Sequence, residues 1–316
     1  MQAVLGVAFP VFALILAGTL AGRFGLLDAP VTNALNRFVV SLALPALLFD
    51  VTAHAPLSQV LDWGFVAAFG GGILGTLLIM APSFRRQSLT VAALRGLNAT
   101  YANVGFMGIP LCAMAFGPAS LGPVVIAVIL TASVQFAGVI ALIEIDRHDG
   151  SNRNRPGGHG RGVARLVLPR LMRNPLLIAP LLGLLIDGLG LAVPAPVGAF
   201  IKLLGQAASP CALVATGLFI AAHRSDFRLG AVTMLVALKL IAQPAIAWII
   251  AGPALHLGPL PMAVAVLLSA LPTGTGPFIL AETYDTDRGP AAATILLTTV
   301  LSVLTVTALL AVLAPG

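Results

Sequence analysis

Long apolar runs alternate along the chain with short polar gaps. Ten runs stand out, at about 3–22, 34–53, 61–81, 91–112, 120–143, 174–192, 196–220, 229–251, 260–281 and 291–313. Each is close to twenty residues, the helix length that crosses ~30 Å of hydrocarbon. The pattern predicts an all-α integral membrane protein of ten transmembrane helices. Runs four and nine differ from the rest. Near their centres they carry Asn98, Thr100, Tyr101, Asn103, Gly105, Gly108 and Pro110, and Pro272, Thr273, Gly274, Thr275, Gly276 and Pro277. A proline removes a backbone donor and clashes with the preceding turn, so both helices are expected to open for one or two residues.

The only long hydrophilic segment runs from Glu144 to Arg173, with a middle rich in Gly, Asn, Pro and Arg. It reads as a cytoplasmic connector, with contact to anionic lipid headgroups or to a regulatory partner as alternatives. It divides the chain into a five-helix unit at 1–143, the loop at 144–173 and a second five-helix unit at 174–316. An odd number of spans per unit makes the second unit enter the membrane inverted. Proline spacing gives weak support: Pro10 and Pro175 lie 165 residues apart, as do Pro45 and Pro210, while Pro110 and Pro277 lie 167 apart. On this reading runs four and nine are broken helices that cross near the midplane.

The charges set an orientation. Fifteen of the 17 basic residues fall in or beside alternate gaps: Arg23, Arg37, Arg85, Arg86, Arg95, Arg147, Arg153, Arg155, Arg161, Arg165, Arg170, Arg173, Arg224, Arg228 and Arg288. Only Lys202 and Lys239 lie elsewhere. Positive residues stay in the cytoplasm, so both termini are expected outside it.

Composition narrows the class. Hydrophobic residues make up 59% and charged residues 9%, against roughly 25% charged in soluble domains. The net charge of +6 is explained by topology, and nucleic acid is not expected as a partner; the lipid bilayer is. Cys112 and Cys211 sit in apolar runs and read as buried thiols. There is no GxSxG, no HExxH, no phosphate-binding glycine loop and no carboxylate pair. An enzyme, a metal site and a cofactor are therefore not expected. The broken-helix pattern points to a secondary transporter, with a channel-like facilitator or a non-transporting membrane receptor as alternatives.

The candidate substrate-binding residues lie at the two breaks: Thr100, Asn103, Gly105 and Pro110, with Thr273, Thr275 and Pro277. Asn103 is polar, central and beside a break, which suits a hydrogen bond to substrate or one closing the backbone. Candidates for charge or coupling are Asn98, Lys239, Gln243 and Glu282. Lys239 either acts as a functional charge within the membrane or snorkels to its edge, and Gln243 shares its helix face. Glu282 suits a protonation site, a vestibule acid or a solvated edge. Lys202, Asp50 and Asp187 lie near span ends. Broken helices direct N-terminal ends, each worth roughly +0.5 charge, into the membrane. No carboxylate is central in any run, so a small organic anion is the expected substrate.

The segment Asn98–Leu111, with Asn103, Gly105, Phe106, Gly108 and Pro110, resembles the broken fourth span of the auxin efflux carrier family. Pro272, Gly274, Gly276, Ala281, Glu282 and Tyr284 are similarly placed to its ninth-span crossover. The resemblance covers the whole chain and is closest to bacterial members. It implies a fold shared with bile-acid symporters, in which a scaffold holds a transport domain that moves as an elevator. It also implies efflux of a carboxylate or auxin-like acid across the bacterial cytoplasmic membrane. A homodimer is the candidate assembly. Where the family often has Asn in the ninth-span break, this chain has Thr273 and Thr275.

Overall fold

A computed structural model describes residues 2–54, 62–84, 87–151, 172–223 and 229–313. Among these the only β pairing is the isolated antiparallel bridge of Ala102 with Thr273, and the regular elements are helices. In chain order they are α1 (Gln2–Arg23), α2 (Pro30–Thr52), α3 (Trp63–Phe84), α4 (Leu89–Thr100), α5 (Val104–Phe116), α6 (Pro118–Arg147), α7 (Pro175–Gly188), α8 (Ala195–Ala222), α9 (Gly230–Ala254), α10 (Pro259–Ala270), α11 (Gly276–Thr283) and α12 (Arg288–Leu313). Seven of them, α1, α2, α3, α6, α8, α9 and α12, are long and apolar enough to cross a membrane; α5, α7 and α10 are shorter apolar helices. Large side chains such as Leu78, Leu185, Phe200, Leu203 and Val312 remain exposed, as expected of a surface that meets lipid rather than water.

Several prolines shape the helices by widening them rather than ending them. Pro45, Pro110 and Pro244 each sit two residues beyond a π-helical turn, at Val39–Ala43, Val104–Gly108 and Leu238–Ala242. Proline cannot donate to the carbonyl four residues back, and its ring crowds that carbonyl. A wider turn relieves the crowding and lets neighbouring amides find other acceptors.

Two packing groups result. In one, α1 packs along α8, and α2 packs against α7 and α8. Glycine permits the approach: a side-chain carbon on Gly217 would collide with the Ile15 carbonyl, and one on Gly18 with the Val214 carbonyl. Small residues let membrane helices bring their backbones together. In the other group, α9 packs on α3 and α10, α6 on α4, and α12 on α9, α10 and α11. The main buried core joins both, through Val39, Leu44 and Leu48 from α2, Phe65 and Phe69 from α3, and Leu267 and Leu268 from α10.

The structure corrects three expectations. The breaks are longer than one or two residues, spanning 101–103 and 271–275. The hydrophilic segment does not begin as a loop at Glu144. Helix continues to Ser151, because the Asp146 carboxylate accepts both the amide and the hydroxyl of Thr90, at 2.9 and 2.6 Å, and so docks this end on the start of α4. Pro110 and Pro277 are not equivalent positions. The bridge pairs residue 102 with 273, whereas Pro277 is the second residue of α11 and Pro110 lies beyond a full π turn of α5. The loop middle at 152–171 lies outside the described residues, with Arg153, Arg155, Arg161, Arg165 and Arg170, as do Arg85, Arg86, Arg224 and Arg228.

Candidate functional site

The site is built on the two breaks. Leu271 precedes Pro272, which disfavours the α conformation, and it adopts φ −62°, ψ 151°. Helix α10 therefore stops, and the chain runs extended beside the break after α4. The Asn103 amide donates to the Pro272 carbonyl at 2.9 Å, and the Gly274 amide to the Tyr101 carbonyl at 3.0 Å. This two-bond ladder satisfies backbone that would be costly to leave open within a bilayer. The Tyr101 ring lies over the second break. A side-chain carbon on Gly276 would come within 2.8 Å of that ring, so only glycine fits there without displacement.

Beyond the ladder the chain resumes as α5 and α11, and both N-termini open onto one cavity of about 270 Å³. Its walls include Val40 and Leu44 of α2, Tyr101 to Phe106, Thr131 and Phe136 of α6, Asn174 and Leu176 at the start of α7, and Gly274, Thr275, Gly276 and Ile279. Among the described residues no charged side chain lines it. Asn103 and Thr275 precede the first turns of α5 and α11, yet neither side chain caps its helix. Among the described residues neither makes any side-chain hydrogen bond. The first amides of a helix have no acceptor within it. The Met107 and Gly108 amides turn back to the Asn103 carbonyl, at 3.0 and 3.1 Å. The amides of Gly105 and Phe106 have no such acceptor among the described residues. Two helix N-termini, two unengaged polar side chains and an aromatic wall thus face the same space.

The opposite ends of the broken helices are filled with donors. Carbonyls at the C-terminus of α4 receive Gln243 Nε2, at 3.2 Å on Thr100, and the Thr273 hydroxyl, at 2.9 Å on Asn98. Lys239 Nζ donates to the Ser269 carbonyl near the end of α10, at 2.7 Å. The Thr273 amide reaches the Thr298 hydroxyl of α12 at 3.0 Å. Lys239 and Gln243 are both fully buried, so Lys239 does not snorkel to the membrane edge.

The sequence candidates therefore separate. Asn103, Gly105 and Thr275 line the cavity. Thr100 and Thr273 lie behind it, Thr100 accepting Gln135 Nε2 on its hydroxyl at 2.6 Å. Asn98 is buried, its Nδ2 donating to the Leu94 carbonyl at 3.2 Å. Pro110 and Pro277 shape the second half-helices without lining the cavity. Glu282 is exposed at the end of α11. Nearby, Arg95 grips Asp287 through two bonds, at 2.9 and 3.2 Å, and Arg147 donates to the Tyr284 carbonyl at 3.0 Å. Tyr101 belongs to the polar cluster of the fourth run but was not among the candidate site residues, and Phe136 and Asn174 were not singled out from sequence. Asn174 carries a readable signal, since an Asn before a Pro at the start of a helix is a cap; its Oδ1 accepts the Leu176 amide at 2.9 Å.

With this geometry in view, likenesses to known proteins are informative. Residues 3–310 match the model of a family described as "Membrane transport protein". A Rhizobium meliloti (strain 1021) protein named "Putative malonate transporter" is 31% identical over 325 aligned residues, covering 100% of this chain and 98% of that protein. "Uncharacterized transporter YfdV" of Escherichia coli (strain K12) is 25% identical, over 89% of this chain and 88% of its own. An "Uncharacterized transporter" of Methanothermobacter thermautotrophicus is 26% identical, over 92% of each.

Proposed function

This chain belongs to the membrane transport protein family, that of the auxin efflux carriers, and from that premise we propose that it carries a small organic anion across the bacterial cytoplasmic membrane by alternating access. That it is a multi-pass membrane transporter rather than an enzyme follows from the family itself. The choice of an anion rests on one observation: two helix N-termini, with Asn103 and Thr275 unengaged, open onto a cavity that no carboxylate lines among the described residues. Each N-terminus supplies roughly half a positive charge, so the pair suits a carboxylate. A cavity of about 270 Å³ favours a compact acid over a bulky one, and the name of the Rhizobium relative agrees with a short dicarboxylate.

The transport cycle we propose uses ten spans in two inverted units, with α4–α5 and α10–α11 as the broken fourth and ninth. Exchange of the units supports this: α1 packs on α8 as α7 packs on α2, pairing each unit's first span with the other's second. The group holding α1, α2, α7 and α8 is the scaffold. The group holding the crossing slides against it, with the cavity between α2, α7 and the breaks. Both termini lie outside the cytoplasm, and exposed Leu185, Phe200 and Leu203 offer a face for a second copy.

The test is a thermal-shift screen of mono- and dicarboxylates on detergent-purified protein, followed by liposome flux for each hit. Carboxylates are expected to stabilise the protein and to be transported. Response only to amines would overturn the anion assignment, and binding without flux would replace a carrier with a receptor.

A further inference from the structure

Lys239 has no part in the cavity just described, yet it is among the largest fully buried side chains of the protein. Among the described residues no carboxylate pairs with it. Its Nζ donates to the Ser269 carbonyl, next to the last residue of α10. One helical turn on, Gln243 covers the matching end of α4 through the Thr100 carbonyl. A single face of α9 therefore caps the C-terminal ends of both first half-helices. Each such end carries roughly −0.5 charge, and together they amount to about one negative charge held away from water. The residues at these two ends also carry unused oxygens. Asn98 Oδ1, Gln243 Oε1 and Ser269 Oγ are all buried without a partner among the described residues. A side-chain carbon on Gly72 would lie 3.2 Å from the Gln243 main-chain carbonyl and 3.6 Å from Ser269 Oγ, so α3 approaches both of these oxygens at one point. Half-helix C-termini and unwound carbonyls of this kind are where transporters hold coupling cations.

We propose that the Lys239 ammonium is a tethered counter-cation, occupying the place at which the crossing would otherwise need a free alkali cation. It supplies one positive charge to the two C-terminal ends and travels with the crossing, so no sodium ion is consumed at this point of the cycle. The idea rests on the crossing being the transport element, but its readout requires no substrate. Failure of the carboxylate screen and failure of this proposal are therefore separate results.

The experiment measures thermal unfolding of the full-length protein in detergent, in choline, sodium, lithium and potassium chloride at equal ionic strength. Wild-type protein is expected to show the same Tm in all four. Lys239→Ser shortens the side chain and removes its charge; its Tm is expected to fall in choline and to recover saturably in one or more alkali salts. Lys239→Gln keeps a donor for Ser269 without the charge and is the second variant should the serine variant fail to fold. It is also expected to lose stability in choline, whereas Lys239→Arg retains most of it. A wild-type Tm raised specifically by sodium would overturn the proposal. So would a Lys239→Gln variant as stable as wild type in choline, because the hydrogen bond alone would then suffice.

Discussion

Asn103 allows stability and binding to be moved in opposite directions. An N-cap side chain normally accepts an amide of the first turn, and its loss costs about 0.5–2 kcal/mol. Asn103 makes no such bond, so Asn103→Ala should change stability by less than about 0.5 kcal/mol. If the same amide instead meets a substrate carboxylate, its loss removes a charge-assisted bond worth about 1.5–3 kcal/mol. That weakens Kd about ten- to a hundredfold. Asn103→Asp separates the effects further. A carboxylate beside a helix N-terminus is favourable by about 0.3–1 kcal/mol, so Tm should hold or rise. The same carboxylate occupies the positive end that the substrate needs, so anion binding should be lost. The assay pairs Tm without ligand with carboxylate binding by calorimetry, on all three proteins. If Asn103→Asp binds carboxylates as well as wild type does, the N-terminus of α5 is not the anion site. If Asn103→Ala loses as much Tm as an ordinary cap substitution, the side chain was holding the break together instead.

Other outcomes follow from the same geometry. Gly276→Ala forces a methyl to within 2.8 Å of the Tyr101 ring and should cost about 1–3 kcal/mol by overpacking; adding Tyr101→Leu should recover part of the lost Tm, and additive losses would refute the contact. Gly217→Ala brings its methyl into the Ile15 carbonyl, so α1 must move off α8 and the loss of Tm should exceed that of Gly138→Ala, whose added carbon meets nothing. Single cysteines at position 2 and at the C-terminus should react with an impermeant thiol reagent in intact cells, and one at position 155 should not; the reverse pattern would invert the proposed topology.

The extent to which the sequence revealed this structure depended on the range of the interaction concerned. Apolar runs of about twenty residues are imposed by the bilayer and can be counted directly. The two breaks were visible because Pro and Gly act locally on the backbone. Their register was not, because proline spacing of 165–167 residues does not report which backbones touch; the bridge of Ala102 with Thr273 depends on where each helix unwinds. Lys239 shows the same limit. An apolar run containing one lysine reads alike whether the side chain points to the membrane edge or inward. Its bond to Ser269, thirty residues away, decides the matter. The cavity wall was the least legible part, since Tyr101, Phe136 and Asn174 come to line one cavity only after α4, α6 and the start of α7 pack together.

A pair of broken helices does not by itself choose the sign of its cargo. Every break creates one C-terminal and one N-terminal end, so the crossing as a whole carries no net charge from its backbone dipoles. Selectivity must come from which ends the rest of the protein has already neutralised. Here the C-terminal ends are met by the Lys239 Nζ, the Gln243 side-chain amide and the Thr273 hydroxyl, from α9 and the second break. Among the described residues the N-terminal ends of α5 and α11 are met by neither a capping side chain nor a carboxylate. The unbalanced charge is therefore positive and faces the cavity. Lys239 and Asn103 act through the same electrostatic balance from opposite faces of the crossing, which links the proposed anion preference to the proposed independence from sodium.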